Sequence, residues 1–189
     1  AAQASRMLFA MNLVLMGGFL ALGWAAPRLS RAGLHTERAI ALYYSLRDGL
    51  RYDPYRIDLS VRWGDVDMLG HVNNAKYFTY DESSRIQYFE PFGASDPRMW
   101  KDYGLILASI GADFIQQVHY PAQLVVGTRI TKIGRSSMTS LSGLFVDKQL
   151  MAAVRGVLVW FDYVNQKALP VPETIRAAIR ARELVAPEE

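Results

Sequence analysis

Cysteine is missing from all 189 residues, and with it go disulfides, thiol nucleophiles and every thiolate metal site. Imidazole is scarce: His35, His71 and His119 are the whole supply, and no two of them stand at a metal-ligand spacing, so no metal or other cofactor is expected. Neither GxxxxGK[ST] nor GxGxxG occurs, which leaves no glycine loop for nucleotide phosphates. A surplus of one charge sign is lacking too. The net charge of +3 is small and the basic residues are scattered, so nucleic acid is not an expected partner. There is no internal repeat and no low-complexity tract. What the chain does have is apolar bulk, 51% hydrophobic and 12% aromatic, enough for one ordinary core plus an appendage.

Residues 7–26, MLFAMNLVLMGGFLALGWAA, contain no charge, and Asn12 is their only strongly polar side chain. Twenty residues rising about 1.5 Å each cover the roughly 30 Å of a bilayer core. Arg6 precedes the run, Arg28, Arg31 and Arg38 follow it, and Trp24 lies near its end. A single membrane span is expected, with the bulk of the chain on the cytoplasmic or mitochondrial-matrix side. A cleaved signal, with Gly23 and Ala25 before a cut, and a buried globular helix are the competing readings. A run with no polar face suits the buried helix poorly. Opening on Ala1 rather than Met is expected of a chain trimmed upstream, of its initiator or of an organelle-targeting peptide.

The sequence divides into an anchor over 1–27, a helical linker over 28–54 and a main domain over 55–189. Pro27 closes the apolar helix. Thr36 caps a linker helix with a stripe of Ala39, Tyr43, Leu46 and Leu50. From residue 55 Ile57, Leu59, Val61 and Trp63 alternate with polar residues, which predicts a strand. A helix follows over 74–90, with Ala75, Phe78, Glu82, Ile86 and Phe89 on one face, stopped by Pro91 and Gly93. Four strands in meander are expected over 106–120, 124–134, 137–146 and 150–163, with a hairpin at 147–149. A last helix runs over 173–184 with Ile175 and Ile179 inward. One long helix against an antiparallel sheet makes the fold class α+β.

The segment VRWGDVDMLGHVNNAKYFTYDESSR resembles the signature of the hotdog-fold acyl-CoA thioesterases, the hydroxybenzoyl-CoA thioesterase family. Similarity extends from Tyr55 to Ile179, through ADFIQQVHYPAQLVVGTRITKIGRSS and VLVWFDYVNQKALPVP. The resemblance implies a hotdog fold, a sheet wrapped around the long helix, and dimers with acyl-CoA sites at the subunit boundary. It matches Asp67 to the carboxylate that attacks the thioester or activates water, and it gives His71 a part in polarising the carbonyl or moving a proton. Some relatives place a catalytic carboxylate on the helix, which makes Glu82 a third catalytic candidate. The plant acyl-carrier-protein thioesterases carry Asn where this chain has Leu69, so their full catalytic set does not transfer.

The residues themselves suit that chemistry. Hydrolysing a thioester needs a base or nucleophile and a place for the negative charge on the carbonyl oxygen. Gly70, His71, Val72 and Asn73 lead into a helix start, where amides lack intrahelical partners and the dipole favours an anion. Gly70, Val72, Asn73, Asn74 and Tyr77 are therefore expected at the substrate, with Arg135 and Ser136, beside Lys132 and Ser137, at the coenzyme phosphates. Structural readings stand next to these: Asp67, Asn73 or Asn74 as caps, Tyr77 as core or dimer interface, His71 as a hydrogen-bonded support under the sheet, Glu82 in a buried ion pair with Arg85 or Arg62, and Lys132, Arg135, Ser136 and Ser137 as a solvated edge. Asp65 competes with Asp67 for the catalytic role.

The expected function is a membrane-anchored acyl-CoA thioesterase with a preference for medium to long chains. Its expected partners are acyl-CoA, the bilayer and a second copy of the chain. A catalytically silent scaffold subunit of a larger membrane complex, such as a mitochondrial one, is the alternative, with Gly17-Gly18 allowing close helix contact. An acyl-CoA or acyl-carrier sensor is a third possibility.

Overall fold

The computed structural model describes residues 56–93 and 96–189. The anticipated membrane span, the linker helix and both anticipated domain boundaries lie outside the described residues. Among the described residues no helix is long and apolar enough to cross a membrane.

The chain runs β1 (Arg56–Ser60), α1 (Asn74–Phe89), β2 (Tyr103–Phe114), β3 (Gln123–Ile133), β4 (Ser137–Val146), β5 (Gln149–Asp162), β6 (Lys167–Ala168) and α2 (Glu173–Arg182). All pairings are antiparallel, in the order β1-β3-β4-β5-β2, with β6 a short addition to β5. The sheet curls around α1, the arrangement that the hotdog resemblance implies. Asp147 and Lys148, both at positive φ, make the two-residue turn joining β4 to β5.

Two corrections come with the pairing. The four later strands are not a plain meander, because β2 pairs with β5 at the far edge while β3, β4 and β5 follow one another. The connection over 115–122 returns the chain across the sheet and on the way binds the loop before α1, Val72 N–H donating to the Val118 carbonyl at 2.8 Å. The alternation of β1 also ends early. Trp63 opens a 3-10 turn (Trp63–Asp65) and is 77% exposed, its ring meeting the edge of Tyr120 at 5.6 Å.

The core has two apolar halves. Val61, Val72, Tyr77, Tyr80, Val118 and Leu124 fill the end near the start of α1, and Tyr88, Phe89, Ile133, Trp160, Ile175 and Ile179 fill the other. Ile175 and Ile179 of α2 point inward as the sequence predicts. Between the halves lies a polar layer. Asp81 and Ser84 of α1 meet Thr128 and Ser142, which face each other across β3 and β4. Ser142 donates to Asp81 at 2.5 Å, and Thr128 Oγ1 lies 2.7 Å from Ser142 Oγ and 2.8 Å from Ser84 Oγ. Arg85 Nε closes the layer on Asp81 at 2.7 Å.

The helix face is the main departure from expectation. The buried residues of α1 are Tyr77, Tyr80, Asp81, Ser84, Tyr88 and Phe89, whereas Ala75, Glu82 and Ile86 are exposed. The predicted stripe is therefore split: Phe89 is buried and Phe78 half-buried against the core, while Ala75, Glu82 and Ile86 face outward.

Candidate active site

The segment before α1 folds as a tight hairpin. Val66 and Val72 form an antiparallel bridge, Asp67 N–H donates to the His71 carbonyl at 3.0 Å, and Gly70 N–H donates to the Asp67 carbonyl at 3.1 Å. Met68, Leu69 and Gly70 are then a three-residue loop whose last position must be left-handed. Gly70 has φ +83°, which a side chain would resist. Open space surrounds the place where a Cβ would stand, so ligand can approach there. His119 Nδ1 lies 2.8 Å from the Gly70 carbonyl and ties the loop to the 118–121 segment, a role that nothing in the sequence announces.

Asp67 sits at the base of this loop. One carboxylate oxygen accepts the Leu69 N–H at 2.8 Å and the other faces His71 Nδ1 at 3.5 Å. Both side chains are half-buried, 25% and 21% exposed, so the pair is fixed yet reachable. His71 is thus held beside the acid rather than under the sheet.

The helix start follows at once. Asn73 caps it, its side-chain oxygen accepting the Ala75 N–H at 2.9 Å. The expectation that the amides of Gly70, Val72 and Asn73 await an anion is corrected. Gly70 N–H is spent on Asp67, Val72 N–H on Val118, and Asn73 N–H on the Asp65 carbonyl at 2.9 Å. Val72 is moreover a buried core residue. The N–H groups of His71 and Asn74 have no acceptor among the described residues, and these two flank the cap.

Asp65 takes no part in an open site. It is buried, accepts the Tyr80 hydroxyl at 2.9 Å and the Arg62 backbone N–H at 3.0 Å, and pairs with Arg62 at 3.2 Å and Lys76 at 3.3 Å. Burial opposes its charge, but the hydrogen bonds from Arg62, Tyr80 and Lys76 outweigh that and hold the carboxyl well below the usual range. Burial and the bond to Asp65 push the Tyr80 phenol up. Burial raises the Tyr77 phenol as well, and Tyr77 is a core ring, edge-on to Phe114 at 5.0 Å.

Glu82 stands apart from Asp67, eight residues or about 12 Å of helix beyond Asn74. The buried ion pair expected of it does not form: Arg85 pairs with Asp81 and Arg62 with Asp65. Glu82 instead lines a cleft of about 450 Å³ between the second half of α1 and β2, with Ile86, Phe89, Trp100, Leu105 and Leu107. Arg135 and Ser136 are not brought to the motif. They lie in the turn after β3, whose 11 residues span roughly 30 Å from its motif end. There the Arg135 carbonyl accepts the Val171 N–H at 2.9 Å and the Ser136 carbonyl the Trp160 N–H at 2.9 Å. Among the described residues no group of three or more His, Asp or Glu side chains is arranged to hold a metal ion.

Comparison with known proteins gives the family. The family described as the thioesterase-like superfamily matches residues 61–179. A thioesterase from Thermus thermophilus, solved with coenzyme A and zinc, is 33% identical with a TM-score of 0.60, over 68% of this chain and 92% of that one. The chloroplastic acyl-acyl carrier protein thioesterase ATL3 of Arabidopsis thaliana is 24% identical over 71% of this chain and 73% of its own length. The uncharacterized protein YsmA of Bacillus subtilis is 33% identical over 81 residues, 43% of this chain, and the match spans about half, 54%, of that relative.

Proposed function

Because the chain belongs to the thioesterase-like superfamily, we propose that it hydrolyses an acyl-CoA thioester to the free acid and coenzyme A, with Asp67 as the group that begins the reaction. The observation that carries this reading is the Asp67–His71 pair at 3.5 Å, set on a glycine turn directly before the capped start of α1. Asp67 either takes a proton from water, so that hydroxide adds to the thioester carbon, or adds there itself and leaves water to release the acid. In both routes the carbonyl oxygen becomes an oxyanion, the C–S bond then breaks, and the coenzyme departs as a thiol. The N–H groups of His71 and Asn74 suit that oxyanion, placed where the dipole of α1 favours negative charge. His71, beside the acid, passes on the proton that the departing sulfur takes up. Glu82 is a contact for the acyl group rather than the acid that starts the reaction.

The carrier, the anchor and the assembly belong to the same proposal. Coenzyme A is preferred because the Thermus relative was solved with it. The membership is read as that of the hydroxybenzoyl-CoA branch on the strength of the DxDxxGHVNN pattern at 65–74. The apolar run at 7–26 supports attachment to a membrane, with the catalytic domain on its cytoplasmic or matrix side. A second copy of the chain fits the outer edge of β2, which pairs with β5 as its single strand neighbour among the described residues and exposes Leu107 and Phe114.

The test is hydrolysis of acyl-CoAs from four to eighteen carbons by the full chain in nanodiscs. Asp67→Asn is expected to lower kcat by about 10² to 10⁴ with an unchanged melting temperature. Full activity in that variant removes Asp67 from the reaction. No hydrolysis of any chain length by the wild type, together with co-migration in a large membrane complex, favours the scaffold reading instead.

A further inference from the structure

The second half of α1, β2, the neighbouring Leu158 of β5 and Trp100 enclose a largely apolar cleft. Along α1, Ala75, Phe78, Glu82, Ile86 and Phe89 recur at helical spacing, and the last three of them line the cleft. Phe114, at one end of β2, meets Tyr77 in the first turn of α1, and Leu105 and Leu107, at the other, share the cleft with Ile86 and Phe89. Six apolar side chains supply most of the cleft: Ile86, Phe89, Trp100, Leu105, Leu107 and Leu158.

The charged residues of the cleft restrict what it takes. Glu82 and Glu90 are exposed carboxylates, and the cation Arg85 is already neutralised by the buried Asp81 at 2.7 Å. An anionic tail would meet two like charges. An uncharged aliphatic tail meets the six apolar groups.

Trp100 is built into this cleft in an unusual way. Its backbone stands at φ +71°, a conformation that a bulky residue adopts only when its surroundings enforce it. Trp100 N–H donates to the Tyr103 carbonyl at 2.7 Å and fixes the turn. The indole then fits against two glycines. A Cβ on Gly104 would stand 2.7 Å from its Cε3, and a Cβ on Gly93 would collide with its Nε1. Two bare backbone positions and a left-handed turn together hold one 42% exposed ring in place. Core packing alone does not require a ring there that remains so exposed.

We propose that Trp100 is the end wall of an acyl channel running from Asp67 along the β2 side of α1, and that it sets the longest uncharged acyl chain the site accepts. The inference rests on the hydrolase reading and adds its substrate class. The helix rises about 12 Å from Asn74 to Glu82. An extended saturated chain advances roughly 1.2 Å per bond, so it enters the cleft after about ten bonds. Shorter acyl groups end before Trp100 and longer ones press on it.

The experiment compares kcat/KM for octanoyl-, dodecanoyl- and hexadecanoyl-CoA in the full chain and two variants, each checked for an intact far-ultraviolet spectrum and oligomeric state. Trp100→Ala opens the wall, and the hexadecanoyl to octanoyl ratio rises about tenfold. Leu107→Trp narrows the same cleft from β2, and that ratio falls by about the same factor. The second variant keeps the idea exposed to failure if the first does not fold. Unchanged ratios in both, with hydrolysis still dependent on Asp67, overturn the channel and leave the hydrolase reading standing. A changed oligomeric state with an unchanged ratio makes this face an interface between copies and also overturns it. If the wild type hydrolyses nothing, the hydrolase reading fails, and affinities for the octyl and hexadecyl thioethers of coenzyme A decide the channel by the same ratio.

Discussion

Asp65 and Asp67 are separated by one residue and face different media. Asp65 points into the protein and holds Arg62, Lys76 and Tyr80, while Asp67 stays at the surface beside His71. The alternation along an extended backbone puts neighbours of this kind on the same side, but the 3-10 turn ends at Asp65 and the hairpin begins just after it. A pattern of residue types carries no record of that break, which is why the two acids compete in the sequence and separate in the structure. Because the Asp65 carboxyl is held below its unfolded range, its stabilisation is complete above about pH 4 and fades as the pH falls toward the lower folded value. Asp65→Asn is expected to cost about 2 kcal/mol at pH 7 and progressively less at pH 3. Urea unfolding of both proteins across that range measures it, and an equal cost at both pH values would refute the assignment.

At the scale of elements, α1 shows what hydrophobic periodicity can and cannot disclose. The helix and its limits were legible from Asn73 and Pro91, since a cap and a breaker act locally. Its orientation was not. An apolar stripe and a mixed stripe both fit the spacing, and the mixed one, with Asp81 and Ser84, faces the sheet because β3 and β4 offer Thr128 and Ser142 to satisfy it. Those partners lie more than forty residues away in the chain, beyond any local rule. Ser142→Ala removes the hydroxyl that donates to Asp81 and leaves a fully buried carboxylate oxygen short of a donor. The expected loss is about 2 kcal/mol, seen as a lower urea midpoint at an unchanged slope. A loss below about 0.5 kcal/mol, the scale of surface substitutions, would mean that the layer does not depend on that bond. The same layer pins Arg85, so it also shapes the cleft.

The whole molecule joins a sheet order that the sequence hid to a segment that only the sequence describes. Hairpins announce themselves through turn residues, so β3, β4 and β5 were readable, whereas the passage of β2 to the far edge depends on long-range pairing with β5. The consequence is an edge strand of 12 residues carrying exposed Leu107 and Phe114. Such an edge is stable when a second copy covers it. The run at 7–26 makes a separate demand, since twenty residues without charge are stable in hydrocarbon and costly in water. Anchor and edge together predict that the full chain stays with membranes through an alkaline carbonate wash and emerges in mild detergent at the size of two copies. Deleting residues 1–27 should move the protein to the soluble fraction while it still hydrolyses octanoyl-CoA. Release of the full chain by carbonate would sink the anchor, and a single-copy size in detergent would sink the pairing of edges. Each readout can fail without the other because the carbonate wash tests the solvation of residues 7–26 and the detergent size tests backbone bonds at β2.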